Sequence, residues 1–96
     1  MAKLIWSPRA AADLEETCQY ISKDSEHYAK LFASRVVALV ETIAQFPMMG
    51  RIVPEYEQDN LREKIFQNYR IVYRVRPEAV EIVAIVHGAR LLPELE

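Results

Sequence analysis

The chain has 96 residues, which suits one domain and is too short for two independent cores. Hydrophobic residues make up 51% and charged residues 27%, an ordinary globular balance that excludes an intrinsically disordered chain. A formal net charge of −2 excludes nucleic-acid binding by bulk phosphate neutralisation, so any anion recognition has to be local.

Lys3 to Trp6 is a short apolar run that fits a strand. It ends at Ser7-Pro8, a strong helix opening with Ser7 as N-cap and Pro8 in the first turn, where a missing N–H costs nothing. The predicted helix continues to about Ser22. Ala10, Leu14, Thr17 or Cys18, and Ile21 recur at helical spacing, while Asp13, Glu15, Glu16 and Gln19 stay polar. Asp24 or Ser25 then caps a second, longer helix ending near Phe46, because Pro47 disfavours helical geometry at the preceding residue. Its apolar stripe is Phe32, Val36, Leu39, Val40, Ile43 and Phe46. The short connection between the helices predicts an antiparallel hairpin.

Residues 47–60 read as an irregular crossing, with Gly50, Pro54 and a polar run. Two alternating runs follow, LREKIF and YRIVYRVR, joined by the turn-prone pair Gln67-Asn68. After a turn at Arg76 to Ala79, the run from Val80 to His87 is almost continuously apolar, as expected of a strand covered on both faces. The order β-α-α-β-β-β predicts an α+β domain spanning residues 1–96, with a helical hairpin on one face of a small, mostly antiparallel sheet and the other face open.

The alternating pair carries the most functional information. If both apolar sets point at the core, Arg62, Lys64, Arg70, Arg74 and Arg76 line up on one exposed sheet face. Between Asn60 and Arg76 these five cations meet one carboxylate, Glu63, so the segment is locally +4 in a net acidic chain. The structural alternative is a solvated strand face that discourages association, with Glu63 pairing to Arg70 or Arg74 across the hairpin. Arg51, after Gly50, reads as a loop anchor that pairs with an acid; Trp6 and Tyr69 read as core. His87 is either an acid/base group near the cationic face or a buried, hydrogen-bonded histidine. His27 carries no specific signal.

Other chemistry is poorly represented. Two distant histidines and one cysteine make no ligand-spaced cluster, and two glycines make no phosphate loop, so no metal and no cofactor are expected. A single cysteine cannot form an intrachain disulfide, and no apolar run approaches transmembrane length or a secretory h-region. A cytoplasmic protein without a membrane partner is expected.

Five blocks in order resemble the RelE/ParE superfamily of bacterial type II toxin–antitoxin toxins: W-S-P-R-A-A-A-D-L-E from Trp6, F-P-M-M-G-R from Phe46, L-R-E from Leu61, Y-R-I-V-Y-R-V from Tyr69 and V-H-G-A-R ending at Arg90. The resemblance implies a growth-inhibiting toxin silenced by a co-expressed antitoxin, in a toxin–antitoxin hetero-oligomer that lays an extended or helical antitoxin segment over the toxin. Within the superfamily, RelE-like members cleave mRNA in the ribosomal A site and ParE-like members poison DNA gyrase without enzymatic chemistry. By analogy with the RelE-like pattern, Arg62, Lys64, Arg70 and Arg90 would gather near the scissile phosphate, with His87 as acid/base, aided by Glu63 or Tyr73. That pattern also has a tyrosine beyond the last arginine, where this chain has Leu91-Leu92-Pro93-Glu94-Leu95-Glu96. The missing tyrosine, the acidic balance and the H-G-A-R ending favour the ParE-like reading; the ribosome-dependent nuclease is the alternative, and a fold that binds without poisoning is the third.

Overall fold

The structure, a computed structural model, describes residues 2–88. Strand β1 (Lys3–Trp6) leads into helices α1 (Pro8–Ser22) and α2 (Glu26–Gln45), followed by a 3-10 turn (Pro47–Met49) and strands β2 (Arg51–Ile52), β3 (Leu61–Phe66), β4 (Tyr69–Val75) and β5 (Ala79–His87). The strands form one sheet in the order β1-β5-β4-β3-β2; β1 runs parallel to β5 and all other neighbours are antiparallel. The expected β-α-α-β-β-β arrangement is present, with the 3-10 turn and β2 added inside the segment read as irregular.

Ser7 does two jobs at the first junction. Its Oγ accepts the Ala10 N–H at 3.0 Å, the expected N-cap bond, and donates to the Val83 carbonyl at 3.0 Å. Of the two candidates for the second cap, Ser25 takes the role, its Oγ accepting the Tyr28 N–H at 3.0 Å.

The apolar stripes of both helices meet the sheet as their spacing predicts. Ala10, Phe32, Val36, Val40 and Ile43 bury against Ile71, Tyr73, Val80, Ile82 and Ile85, with Leu14, Cys18, Ile21 and Leu39 packed at the margin. Phe32 anchors this core by ring contacts to Phe66 (centroids 5.6 Å apart) and Tyr69 (5.4 Å), both tilted toward edge-on geometry. Burial of each such side chain stabilises the fold by roughly 1.5–3 kcal/mol. Phe46 departs from the expected stripe and is 62% exposed. It caps α2 with φ −130° and ψ 72°, so the backbone has left the helix and its side chain turns away from the core.

The opposite sheet face is covered in part, not open. Leu61, Val72, Val83, Ala84 and Val86 form a second, smaller core roofed by Val53 and the half-buried Tyr56 from the β2–β3 connection.

Two features of register decide which side chains share a face. The two-residue turn pairs Phe66 with Tyr69, so Arg62 lies opposite Tyr73 and Lys64 opposite Ile71, on the helix-facing side. In β5, Val72 pairs with Ala84 while Tyr73 pairs with Ile82, which makes Val83 an extra residue that shifts the alternation. Past this bulge, Ile85 and His87 rejoin the helix-facing side and Glu81 stays on the other. The Gln67-Asn68 turn has its own cost, since Gln67 adopts a left-handed φ of 54°.

Replacing Ser7 by Ala removes both the N-cap acceptor and the bond to the bulge. We expect a loss of about 1–2 kcal/mol, read as a lower thermal midpoint with unchanged far-UV circular dichroism.

Candidate functional site

The pairing register separates the five cations expected on one face. Arg62 and Lys64 project toward the helices, whereas Arg70 and Arg74 lie on the opposite side. Arg76, at the strand end, forms an ion pair with Glu81 at 2.7 Å. Each strand alternates as expected, but the two-residue turn sets the strands in the opposite relative phase, which puts the two sets of cations on different faces. His87 shares the helix-facing side with Tyr69, whose ring it meets edge-on at 5.6 Å. Of the residues carried over from the nuclease pattern, Arg62, Lys64 and His87 are thus on one side of the sheet and Arg70 on the other. Arg90 lies outside the described residues.

What the fold does bring together is an ionic cluster on the side away from the helices. Glu63, on β3, has a side chain with no solvent exposure. One carboxylate oxygen accepts from Arg51 (Nε and Nη2, both 2.5 Å), and the other from Arg70 (Nε 2.6 Å, Nη2 2.5 Å). Arg70 is itself only 7% exposed at its side chain and turns its outer edge to Glu55, with Nη1–Oε2 and Nη2–Oε1 both at 2.7 Å. The cross-strand pairing of Glu63 with Arg70 and the anchoring of Arg51 to an acid are both observed. Hydrogen bonding to Glu55, reinforced by Glu63 and opposed by burial, pushes the Arg70 guanidinium above its ordinary pKa and keeps it charged. A buried carboxylate without such partners would be severely penalised.

A second network locks the F-P-M-M-G-R block to the sheet. The Tyr73 hydroxyl donates to the Pro47 carbonyl at 2.7 Å and accepts the Gly50 N–H at 2.9 Å. Arg62 donates from Nη1 to the Gly50 carbonyl at 2.9 Å and from Nε to the Asp59 carbonyl at 3.1 Å. Glycine is required at position 50 by space: a Cβ there would lie 2.5 Å from the Glu63 carbonyl oxygen and 2.6 Å from the Tyr73 hydroxyl. Burial pushes the Tyr73 phenol upward, while the Gly50 N–H and the charge of Arg62 pull it back.

On the other side of the molecule, an open groove of about 640 Å³ runs between α1 and the β4–β5 end, lined by Arg9, Asp13, Glu16, Tyr20, Tyr69 and His87. At its base Asp13 Oδ2 accepts the Ile85 N–H at 2.9 Å, satisfying the edge of β5 beyond the reach of β1. Phe46, Met48, Met49 and Ile52, from the segment leading into the β2 edge, are exposed large apolar side chains. Among the described residues no group of three or more metal-ligating side chains could hold an ion.

Glu55 and Asp13 were not singled out from sequence as functional positions. The acids of the E-Y-E-Q-D run, Glu55, Glu57 and Asp59, immediately precede the cationic hairpin. That adjacency is the signal that the local positive charge is answered in space.

The fold is a helical hairpin packed on a five-stranded mixed sheet. Residues 4–92 match the family described as ParE toxin of the type II toxin–antitoxin system parDE, and the chain belongs to that family. It is 36% identical over 92 residues to the toxin RelE2 of Caulobacter vibrioides, covering 95% of this chain and 100% of that protein. A solved structure described as the chromosomal ParDE toxin–antitoxin system from P. aeruginosa superposes with a TM-score of 0.74 at 23% identity, covering 91% of this chain and 96% of that one, a likeness of fold. The protein is therefore the toxin component of a type II toxin–antitoxin system, a family whose members are paired with a cognate antitoxin. Among the described residues no helix is long and apolar enough to cross a membrane.

Two substitutions test the networks. Glu63→Gln leaves the buried Arg70 and the more exposed Arg51 without the carboxylate charge between them and should cost about 3–5 kcal/mol, measured by urea unfolding. Tyr73→Phe changes the alkaline limb of the stability curve. A buried phenol with a raised pKa contributes stability that is complete below its ordinary value of 10.0 and is lost as pH rises through the higher folded value. The variant should show a lower midpoint at pH 8 and a shallower fall as pH rises above about 10 than the unmodified protein.

Proposed function

We propose that this toxin acts as a ParE-like poison of DNA gyrase in the cytoplasm, by protein–protein contact and without bond-breaking chemistry of its own. The observation that carries this reading is the state of Arg70. The guanidinium that a RelE-like nuclease would aim at the scissile phosphate is buried and bound by Glu63 and Glu55. General acid–base cleavage also needs a proton donor or acceptor within hydrogen-bond reach of the same phosphate. His87, the imidazole proposed for that task, stands on the opposite side of the sheet. The exposed Phe46, Met48, Met49 and Ile52 suit a protein-binding surface better than a phosphate-binding one.

The ribosome-dependent mRNA nuclease is the second reading, supported by the 36% identity to a relative named RelE2. In that case Arg62, Lys64, Arg70, His87 and Arg90 would supply the charge and the proton transfer. In either case the cognate antitoxin, bound in a hetero-oligomer, silences the toxin.

Induced expression without antitoxin should give filamentous cells and DNA-damage signalling, and purified toxin should make purified gyrase accumulate cleaved DNA. Intact gyrase turnover together with transcripts cut in a ribosome-dependent assay would reverse the assignment.

A further inference from the structure

The 3-10 turn Pro47–Met49 presents two adjacent thioethers to solvent on a backbone that is held at both ends. None of its residues is buried. The Tyr73 hydroxyl nevertheless donates to the Pro47 carbonyl at 2.7 Å and accepts the Gly50 N–H at 2.9 Å, and the Met49 N–H donates to the Phe46 carbonyl at 3.0 Å. Met48 is 58% exposed and Met49 37%, between the exposed Phe46 and Ile52 in the chain. A change at either sulfur therefore alters the surface of the molecule and leaves the core and the frame of the turn in place.

The other described sulfur is shielded. Cys18 is half-buried, with Sγ 3.9 Å from the Ala29 carbonyl. Burial pushes its thiol pKa upward, so it holds little of the thiolate that oxidants attack. A thioether needs no ionisation to react, and access to solvent decides which one does. Peroxide reaches Met48 most readily, then Met49. The sulfur lone pair takes one peroxide oxygen, forming the S–O bond as the O–O bond breaks. The sulfur is oxidised by two electrons, the peroxide is reduced, and the departing hydroxide takes the proton of the transferred oxygen to leave as water. A flexible apolar side chain becomes a polar one, which suits water better than a protein partner.

We propose that Met48 and Met49 form an oxidation site at which peroxide reversibly disables the toxin's protein-binding surface without unfolding the protein. The inference rests on the reading of the Phe46–Ile52 segment as a protein-binding surface, and not on which target that surface meets. Methionine sulfoxide reductase, with a dithiol as electron donor, restores the thioethers and releases water and the oxidised dithiol.

The test begins with the full-length protein treated with hydrogen peroxide. Peptide mapping should find sulfoxide at Met48 before Met49, with Cys18 unmodified, and the thermal midpoint should stay where it was. Two double variants then separate surface polarity from side-chain size. M48Q/M49Q carries a polar oxygen in place of each sulfur, as the sulfoxide does, whereas M48L/M49L keeps the surface apolar. Induced without antitoxin, M48Q/M49Q should leave about tenfold or more surviving colonies than M48L/M49L at equal soluble protein. Growth arrest without gyrase-dependent DNA cleavage would defeat the gyrase reading alone, since the comparison of the two variants does not depend on the target. Equal arrest by the two variants, a midpoint lowered by peroxide, or oxidation of Cys18 ahead of Met48 would overturn the proposal.

Discussion

A carboxylate with no access to water sits on the sheet face away from the helices, and much of the surrounding structure answers it. Glu63 cannot remain charged there without partners, and two guanidiniums supply them: Arg51 from the short edge strand and Arg70 from the neighbouring strand of the hairpin. Meeting Glu63 buries Arg70 in turn, and Glu55 then closes the remaining edge of its guanidinium. One buried charge thus recruits three elements: β2, β4 and the connection that carries Glu55. The same connection brings Val53 and Tyr56 over the smaller core, so ionic pairing and apolar burial reinforce one another.

The blocks that resemble the toxin superfamily converge on this region and its neighbour. The glycine and arginine of F-P-M-M-G-R, the arginine and glutamate of L-R-E, and the first arginine and second tyrosine of Y-R-I-V-Y-R-V all meet through Gly50, Arg51, Arg62, Glu63, Arg70 and Tyr73. Several residues that invite a catalytic interpretation therefore hold the edge of the sheet together. Gly50 illustrates the constraint, since even a methyl group would collide with the Glu63 carbonyl and the Tyr73 hydroxyl. In this chain these residues close the sheet edge.

Local patterns were legible and long-range ones were not. Ser7-Pro8 marks a helix start because capping is a matter of adjacent residues, and the three-to-four spacing of Phe32, Val36, Val40 and Ile43 identifies the face that is buried. Alternation likewise located both strands of the hairpin. The face each set would occupy depended on Phe66 pairing with Tyr69, which sends Arg62 and Lys64 toward the helices despite their charge. Their long stems make this tolerable: Arg62 runs along the sheet edge and spends its guanidinium on the Gly50 and Asp59 carbonyls. The bulge at Val83 was equally hidden, because an extra residue within an unbroken apolar run leaves no mark in polarity.

Taken alone, the amino-acid order determined the element sequence, the buried helix faces, the superfamily resemblance and the local excess of positive charge, all of which depend on residues close together in the chain. The tertiary structure decided what that charge does. It set the phase of β3 against β4, separated His87 from Arg70, and brought Glu55 across from a preceding segment to neutralise the arginine that looked most chemical. The division has a simple physical origin: periodicity and capping act over a few residues, whereas the partner of a buried charge is whichever opposite charge the folded backbone brings within about 3 Å.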